Sequence, residues 1–451
     1  MQSTSGFMQN VLVIGAGRSS SSLISYLLKQ SETLNFQVTV ADADQKLAHA
    51  RTDGHPNGHA VKFDISDTAQ REYEIERASL VISLLPPHLH HLALADCIHH
   101  RKHFINASYV SPEMLAMDEE ARKAGILIMN ECGLDPGIDH MSAMEIISRL
   151  KKEGCELLGF KSYTGGLVAP ESNDNPWGYK ISWNPRNVIL AGQGTARYIE
   201  NGSYKYIPYR RIFKDIQTIH VEGFGDFDGY ANRDSLAYRH HYGIEQIPTL
   251  LRGTLRQSGY CKAWDIFVTL GLTDDSFVIE NSEHLTYLDM VRAFIPSAFN
   301  SGNILTDLAA FCGLDETDEA MKLIQWTGIL SPEPTGMKDA SPAKILQGLL
   351  EKKWALKAGD KDMIVMQHEF NYLRQGKAET LLSSLVVKGD DATHTAMAKT
   401  VGLPLGIIAK LILQNRINLT GVHIPVMSEV YTPVLRELEE YGICFSEKTA
   451  G

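Results

Sequence analysis

The feature that most constrains the fold is a regular alternation of apolar runs and helical patterns between residues 10 and 130. The runs NVLVIGAG, FQVTVAD, AVKFDI, SLVISLLPP, HFINASY and GILIMNE are predicted as six strands, and segments such as SSSLISYLLKQS are predicted as helices. Strands that alternate with helices form parallel sheets with right-handed crossovers. The sequence therefore predicts an α/β chain that begins with a Rossmann-type, doubly wound parallel sheet.

A glycine-rich turn follows the first predicted strand. Gly15, Gly17 and Ser20 occupy the pattern G-x-G-x-x-small, and Ser20 replaces the usual glycine or alanine. The first glycine permits a tight turn, the second lets the backbone approach a pyrophosphate, and the third position allows close helix packing. Free N–H groups at the helix start then face the phosphates. The context favours a dinucleotide site over a purely structural turn.

Asp42 ends the second predicted strand and bears on the choice of cofactor. A carboxylate there can accept hydrogen bonds from the adenosine ribose hydroxyls and repels a 2′-phosphate. No arginine follows at positions 43 to 46, where Lys46 is the one basic residue. The sequence therefore favours NAD, with NADP as the alternative. A structural role for Asp42 in a turn or as a helix N-cap remains open at this point.

Charge and cysteine usage exclude several classes of protein. The net charge of −11 provides no basic field for nucleic acid or a membrane surface, so we expect neither as a partner. Six scattered cysteines without a C-x-x-C pair indicate free thiols. No apolar run approaches the roughly 18 residues of a membrane span, and the N-terminus MQSTSGFMQN lacks the pattern of a signal peptide. These features predict a cytoplasmic protein.

An anionic ligand would need locally placed arginines. Arg233 in YANRDS and Arg256 in RGTLRQSGY lie beside glycines and small hydroxyl residues. Guanidinium groups suit carboxylates because they bind them in a bidentate way. Surface salt bridges are the alternative interpretation for either arginine alone.

The histidine-rich segment HLHHLALADCIHHRKH, residues 88–103, invites a metal interpretation. His99 and His103 would share a face if the helix continued, and histidines at that spacing can bind zinc. Arg101 and Lys102 lie between them, however, and the segment falls in a crossover between two predicted strands. We interpret it as a solvated helix end and expect no metal site. No hydrolase or phosphoryl-transfer motif is present.

The regular alternation of predicted strands and helices ends at about residue 132. Residues 155–230 are predicted as strands with glycine-rich loops, and residues 244–330, including IPTLLRGTLRQSGYCKAWDIFVTLG, as mostly helical. The stretch SPEPTGMKDASP is typical of a boundary or a surface loop. KDMIVMQHEF and TLLSSLVVKGD look like a hairpin pair, and HTAMAKTVGLPLGIIAKLIL begins the closing helices.

Motifs along nearly the whole chain resemble the glutamate-forming saccharopine dehydrogenases, in particular the dehydrogenase half of bifunctional aminoadipic semialdehyde synthases. The residues that carry the resemblance are VISLLP (81–86), ASY (107–109), GLDPGIDHMSAMEI (133–146), APESNDNPWGYKISWNP (169–185), YANRDS (230–235), RGTLRQSGY (252–260), KDMIVM (361–366) and AMAKTVGLP (396–404). Two positions depart from the usual pattern, Thr164 and Ala231.

The resemblance implies three domains and a homodimer. A Rossmann domain would cover residues 8–132, with the segment from about 390 to 451 packed back on it. A substrate-binding and dimerisation domain would cover 133–243 plus about 345–389, and a small helical domain 244–344.

The resemblance also implies a set of site residues. Carried over by motif, the substrate-binding positions are Ser108, Tyr109, Asp135, Arg233, Thr254, Leu255 and Arg256. The cofactor-binding positions are Gly15, Gly17, Arg18, Ser19, Ser20, Asp42, Ala43, Asp64, Ile65, Leu84 and Ser182.

The implied reaction is the NAD(P)-dependent oxidation of saccharopine to glutamate and 2-aminoadipate 6-semialdehyde, or the reverse. Saccharopine carries three carboxylates, so Arg233 and Arg256 are expected to converge on it. Asp135 in GLDPGIDH is expected to cap a helix that begins at Pro136 and to contact the substrate amino group, with His140 as a further candidate for proton transfer. The alternatives are a carboxyspermidine-type dehydrogenase of the same superfamily and a non-catalytic nucleotide sensor.

Overall fold

The computed structural model describes residues 8–450, so the first seven residues of the N-terminal segment lie outside the described range. The chain divides into two compact units. The first comprises the chain up to Cys155 together with Leu385–Phe445, and the second comprises Glu156–Ser384 and the residues from Ser446 onward.

Strands and helices alternate through the first unit and become more irregular in the second. In chain order the strands are β1 (Gln9–Ile14), β2 (Phe36–Asp42), β3 (Gly58–Lys62), β4 (Leu80–Ser83), β5 (His103–Asn106), β6 (Leu127–Met129), β7 (Glu156–Val168), β8 (Thr195–Glu200), β9 (Ser203–Pro208), β10 (Ile216–Val221), β11 (Gly225–Ala231), β12 (Thr249–Gln257), β13 (Asp362–Arg374), β14 (Lys377–Lys388), β15 (Gly421–His423) and β16 (Ser446–Ala450). The α-helices are α1 (Ser21–Leu34), α2 (Gln45–Thr52), α3 (Thr68–Arg77), α4 (His90–His99), α5 (Pro112–Ala116), α6 (Asp118–Ala124), α7 (Ile138–Lys152), α8 (Pro185–Ile189), α9 (Tyr209–Ile212), α10 (Tyr238–His241), α11 (Tyr260–Leu270), α12 (Tyr287–Phe294), α13 (Ile304–Cys312), α14 (Glu319–Thr327), α15 (Pro342–Lys353), α16 (Ala396–Leu413) and α17 (Ser428–Glu440).

The first unit contains the predicted Rossmann-type sheet. Within the described residues it has seven strands in the order β15-β6-β5-β4-β1-β2-β3, and the paired neighbours run parallel. The order reverses at β1, which places a topological switch point between β1 and β4 at their carboxyl ends. Apolar runs such as Val11–Ile14 are almost completely buried because helices cover the sheet. The prediction of a doubly wound parallel sheet is confirmed.

The closing segment belongs to this first unit. α16 lies against α1, and a β-carbon at Gly402 would come within 2.7 Å of the backbone nitrogen of Leu23. α16 is long and apolar enough to span a membrane by length and composition alone, although 78% of its apolar window is buried inside the protein. Lys399 and Lys410 interrupt this window, so it is not an uninterrupted apolar run. The two glycines of α16 allow the helices to pack closely.

The second unit is built on a mixed sheet, as predicted. Within the described residues the main order is β10-β11-β12-β7-β13-β14-β16, and β8 pairs with β12 and with β9. β12 runs parallel to β7, whereas β11 and β13 run antiparallel to their partners. α11 to α15 belong to the same unit.

The units of the structure differ from the predicted domain boundaries. The first unit extends past residue 132 because α7 packs against α17, where the Tyr431 hydroxyl donates to Ser148 Oγ at 3.1 Å. Residues 244–344 fall in the second unit, and TLLRGTLRQ, predicted as part of a mostly helical segment, forms the interior strand β12 of its sheet. Arginines, threonines and a glycine separate the leucines of this stretch, so its periodicity does not distinguish a strand from a helix.

Candidate functional site

The glycine turn lies at the carboxyl end of β1, beside the strand that neighbours it at the switch point. Gly15 has φ +110°, and its N–H donates to the carbonyl of Ala41 at 2.8 Å. A β-carbon at Gly15 would lie 3.2 Å from Cβ of Leu84. The close approach explains why the tight turn requires glycine, and it places Leu84 against the turn.

Gly17 differs from Gly15 because open space lies in front of it. No described atom lies within 4 Å of the position that its β-carbon would take, and its φ of −66° is accessible to any residue. The turn continues through Arg18–Ser20, a 3-10 turn, into α1, and the buried Ser20 donates from Oγ to the Gly17 carbonyl at 2.8 Å. An open backbone next to a helix N-terminus fits the pyrophosphate of a dinucleotide.

Asp42 and Arg51 both contact the glycine turn. Asp42 Oδ2 accepts from the Ala16 N–H at 2.7 Å, and its Oδ1 accepts from the Asp44 N–H at 2.8 Å. Arg51 on α2 donates from Nε to the Ala16 carbonyl at 3.2 Å and from Nη2 to the Gly17 carbonyl at 3.3 Å. Asp42 thus connects β2 to the turn. Arg51 brings a guanidinium group to the same turn, although no arginine occurs at positions 43 to 46.

The predicted cofactor residues Asp64 and Ile65 lie just after β3. Two hydrogen bonds from Ser66 to Asp64 Oδ1 hold the pKa of Asp64 below its usual value. The Ile65 carbonyl accepts from Nη1 of Arg71 at 2.8 Å, and the Arg71 guanidinium pairs with Asp96 at 2.6 Å in a buried position. The buried ion pair fixes the loop that follows β3, the neighbour of β2.

Three predicted substrate residues lie together at the carboxyl edge of the same sheet. Ser108 and Tyr109 follow β5, Asp135 follows β6, and the Tyr109 hydroxyl donates to Asp135 Oδ1 at 3.0 Å. All three side chains are partly exposed. Because ligands of open α/β sheets bind at this edge, the cluster is positioned to contact a small molecule.

The loop GLDPGIDH has a different structure from the prediction. α7 begins at Ile138 with Gly137 as its N-cap residue, so Asp135 is not the cap and Pro136 is not the first helical residue. The Gly133 N–H donates to the Pro136 carbonyl at 2.9 Å, which closes a tight loop and delays the helix. Asp135 consequently lies on the loop, where its side chain meets Tyr109.

His140 does not lie at the surface of the site. It is completely buried, and its Nε2 lies 2.7 Å from Oε2 of Glu131, which is also buried. Glu131 Oε1 accepts from the Val110 N–H at 3.0 Å, and the Glu131 N–H donates to the Ser108 carbonyl at 3.1 Å. The structure therefore places His140 behind the loop that carries Ser108 and Tyr109, and its role in proton transfer stays a prediction.

The histidine-rich segment contains a residue that the sequence argument missed. His90, at the start of α4, is completely buried between Ser83 and Ser108. His99 is exposed as predicted for a solvated helix end, but α4 ends there and His103 begins β5, so the two do not share a helical face. The sequence signal that could have identified His90 is its position seven residues after Ser83, the serine that ends β4.

The remaining predicted substrate residues lie in the second unit. Arg256 on β12 is buried, and its guanidinium carbon lies 5.4, 6.0 and 5.6 Å from the ring centres of Tyr179, Tyr230 and Tyr260. Its Nη1 donates to the Leu255 carbonyl, while Nε has no hydrogen-bond partner among the described residues. A buried guanidinium donor of this kind is suited to an anionic ligand.

Arg233 follows β11, whereas Arg256 lies on the neighbouring strand β12. Arg233 is exposed just beyond β11, and the antiparallel register pairs Tyr230 with Thr254 and Ala231 with Gly253. Arg233 and Arg256 are each a candidate contact for an anionic ligand. Thr254 lies on the same face of β12 as Arg256. Ser182, predicted to bind the cofactor, is buried in the same unit, next to Ile181, whose N–H donates to the Trp354 carbonyl.

Family models match nearly the whole chain. A model described as the saccharopine dehydrogenase NADP binding domain matches residues 11–129, and one described as the saccharopine dehydrogenase C-terminal domain matches residues 133–443.

Similar proteins agree with these matches. The chain is 31% identical to saccharopine dehydrogenase [NADP(+), L-glutamate-forming] of Schizosaccharomyces pombe, over 98% of this chain and 99% of that protein. It is 34% identical to the mitochondrial alpha-aminoadipic semialdehyde synthase of Bos taurus, over 98% of this chain but 48% of the longer protein. The solved apo saccharopine dehydrogenase (L-Glu forming) of Saccharomyces cerevisiae superposes with a TM-score of 0.85 at 30% identity, covering 98% of this chain and all of that one.

Proposed function

This chain belongs to the saccharopine dehydrogenase family, and from that premise we propose that it interconverts saccharopine with glutamate and 2-aminoadipate 6-semialdehyde. It is a nicotinamide-dependent oxidoreductase of lysine metabolism. The observation that carries the substrate proposal is the match to enzymes of that name along 98% of the chain. The cluster of Ser108, Tyr109 and Asp135 on the dinucleotide-binding sheet supports it.

The chemistry breaks the C–N bond of a secondary amine. In the oxidative direction the lysine-derived carbon loses a hydride and the nitrogen loses a proton, which leaves a carbon–nitrogen double bond. Water then adds to that carbon, and the C–N bond breaks to release the aldehyde and the amino group of glutamate. The nicotinamide supplies the hydride acceptor, and the protein supplies orientation and proton handling.

The side chains of this chain are assigned by their charge. Asp135, oriented by Tyr109, would accept hydrogen bonds from the α-ammonium group of saccharopine. Arg233 and Arg256 would bind carboxylates of the substrate, which guanidinium groups hold in a bidentate way. Each of these side chains thus carries a charge complementary to one ionised group of saccharopine, which has three carboxylates, an α-ammonium group and a secondary amine.

We further propose that the cofactor is NADP. The family model and the relative of Schizosaccharomyces pombe both carry NADP in their printed descriptions. In this chain Arg51 approaches the glycine turn, while both carboxylate oxygens of Asp42 accept backbone hydrogen bonds instead of lying free for a ribose. The charge of Asp42 still disfavours a 2′-phosphate. We therefore expect kcat/KM with NADP to exceed kcat/KM with NAD by no more than about tenfold.

A carboxyspermidine-type dehydrogenase was the main competing prediction, and the comparisons favour the saccharopine enzyme over it. We also propose that the chain acts as a homodimer in the cytoplasm. Sedimentation of the purified protein over a range of concentrations would test the dimer.

The function is tested by the absorbance of the reduced nicotinamide with saccharopine and either NADP or NAD. We expect turnover with NADP, and a large loss of turnover in Asp135→Asn, which keeps the size of the side chain but removes its charge. Lys46→Ala, an exposed substitution on α2, serves as the control. Absence of turnover in a protein that still binds dinucleotide, measured by quenching of its tryptophan fluorescence, would refute the proposal.

A further inference from the structure

A chain of three side chains connects β4, α4 and the substrate cluster. Ser83 Oγ lies 2.8 Å from Nδ1 of His90, and Nε2 of His90 lies 2.9 Å from Ser108 Oγ. Ser83 and His90 are buried, whereas Ser108 is partly exposed. The imidazole therefore joins a buried hydroxyl to one at the edge of the sheet, and we call this set the Ser83–His90–Ser108 relay.

The imidazole in this relay is neutral. Burial, with a smaller contribution from nearby His88, lowers the pKa of His90 to about 4. A neutral imidazole has one N–H donor and one acceptor nitrogen, so one serine must donate to the ring and the other must accept from it. The direction of one hydrogen bond then fixes the direction of the other.

Ser83 decides that direction. Among the described residues, His90 is the one hydrogen-bond partner of its hydroxyl. If His90 donated to Ser83, the buried hydroxyl hydrogen of Ser83 would have no acceptor, which costs about 1–3 kcal/mol. Donation from Ser83 to Nδ1 avoids that cost. The ring proton then lies on Nε2 and points at Ser108 Oγ.

We propose that His90 is a positioning residue that, together with Ser83, fixes Ser108 as a hydrogen-bond donor to a carboxylate of the substrate. Because its oxygen accepts from His90, the hydroxyl hydrogen of Ser108 is left to point away from the ring. His90 is its one side-chain partner among residues 8–450. The inference rests on the proposed function for the identity of the substrate, but the direction of the relay does not.

The relay separates the roles of neighbouring substrate residues. The hydroxyl hydrogen of such a serine can donate to an anionic oxygen but not to an ammonium group, which has no acceptor site and could use only the remaining lone pair of the oxygen. Asp135, also at this edge, is an acceptor when ionised. Ser108 would therefore select a carboxylate and Asp135 the amino group, so the two would fix the orientation of an amino acid end of the substrate.

The direction of the relay is tested by NMR on the full chain with 15N-labelled histidine. Of the 17 histidines, the signals of His90 are those lost in the His90→Gln variant. Long-range proton–nitrogen correlations report which ring nitrogen carries the hydrogen. A neutral His90 protonated on Nε2 is expected. Protonation on Nδ1 would overturn the proposal, with or without an active enzyme.

The consequence for the substrate is tested by kinetics on single and double variants. Ser108→Ala is expected to raise the KM for saccharopine about 10- to 100-fold, the usual effect of losing a hydrogen bond to a charged group. Ser83→Ala is expected to raise it about threefold to tenfold, with kcat nearly unchanged, because the tautomer is no longer fixed. Ser31→Ala removes another buried serine hydrogen bond, to the Leu28 carbonyl, and is the matched control.

The double variant Ser83→Ala/Ser108→Ala separates the relay from a structural effect. If Ser83 acts through Ser108, adding Ser83→Ala to Ser108→Ala changes KM no further. An equal increase in both backgrounds would overturn the proposal. If the wild-type protein does not convert saccharopine, the proposed function is wrong, and the NMR result alone confirms or overturns the direction of the relay.

Discussion

Nε2 of His140 lies 2.7 Å from Oε2 of Glu131, and both side chains are buried behind the loop that carries Ser108 and Tyr109. Breaking a buried pair of this kind leaves one member without its partner. Glu131→Ala is therefore expected to lower the free energy of unfolding by about 3–5 kcal/mol. Urea unfolding with an unchanged m-value would measure it. A loss below about 1 kcal/mol would contradict the structural role given to the pair.

Alanine substitutions at the two glycines of the turn are expected to affect different properties, dinucleotide binding at Gly17 and stability at Gly15. Gly17→Ala meets no atom and an ordinary φ, so the free energy of unfolding should change by less than about 1 kcal/mol. The dissociation constant of the dinucleotide should nevertheless rise at least about tenfold, because the methyl group fills the place of the pyrophosphate. Calorimetric titration and thermal unfolding on the same sample would measure both.

Gly15→Ala is the matched comparison for that prediction. Its positive φ and its closeness to Leu84 should destabilise the fold itself, by about 1–3 kcal/mol. If Gly17→Ala bound the dinucleotide as tightly as the wild type, the glycine turn would not be the phosphate site.

Arg51 is expected to determine the preference for the phosphorylated cofactor. Arg51→Ala removes a guanidinium from the glycine turn, so kcat/KM should fall at least about tenfold with NADP and less than about threefold with NAD. Initial rates with each cofactor at saturating saccharopine test this, and Lys123→Ala, an exposed lysine substitution on α6, is the control. Equal losses with both cofactors would remove Arg51 from the specificity argument.

His90 is expected to contribute a pH dependence to stability. Its pKa is lowered in the fold from 6.5 to about 4, so between these values the unfolded chain binds a proton that the folded chain does not. The stabilisation is complete above pH 6.5 and is lost as the pH falls toward 4, by about 3 kcal/mol in total.

The comparison of wild type with His90→Gln isolates this effect. Urea unfolding at several pH values should show a smaller slope of stability against pH in the variant over this range. Parallel curves would mean that His90 is protonated in the folded protein, against the neutral imidazole assigned to it.

Arg256 is expected to act on substrate binding more than on the fold. Arg256→Met removes the contacts to three tyrosine rings but also the cost of burying a charge, so stability should change by less than about 1 kcal/mol. The KM for saccharopine should rise at least about 100-fold, since a buried charge partner is lost. Arg252→Met, a buried arginine on the same strand that lies over Tyr238, should leave KM near the wild-type value.

Much of the fold followed from local patterns. The alternation of apolar runs and helices predicted the parallel sheet, and the position of Gly15 and Gly17 after β1 predicted the nucleotide turn, because both signals are local. The strand TLLRGTLRQ lies in a segment predicted as mostly helical, because its three leucines, separated by arginines, threonines and a glycine, show no diagnostic period.

Only part of the site could be predicted from the sequence, because some of its contacts are not local. Ser108, Tyr109 and Asp135 were carried over from motifs, and the structure brings them to one edge of the sheet. Arg51 and Glu131 were missed because nothing in their sequence neighbourhood shows that they approach the turn or the loop. The motif predicted a proton-transfer role for His140. Its burial beside Glu131 could not be predicted from the sequence.

The sequence by itself determined the sheet, the glycine turn and the family, because these depend on hydrophobic periodicity and on residues adjacent in the chain. The tertiary structure decided which polar side chains meet. His90 lies in a segment that looked solvated, yet the fold buries it between Ser83 and Ser108, which end or follow two different strands. Hydrogen bonds across strands depend on distances of about 3 Å, and those distances exist only once the sheet has brought distant residues together.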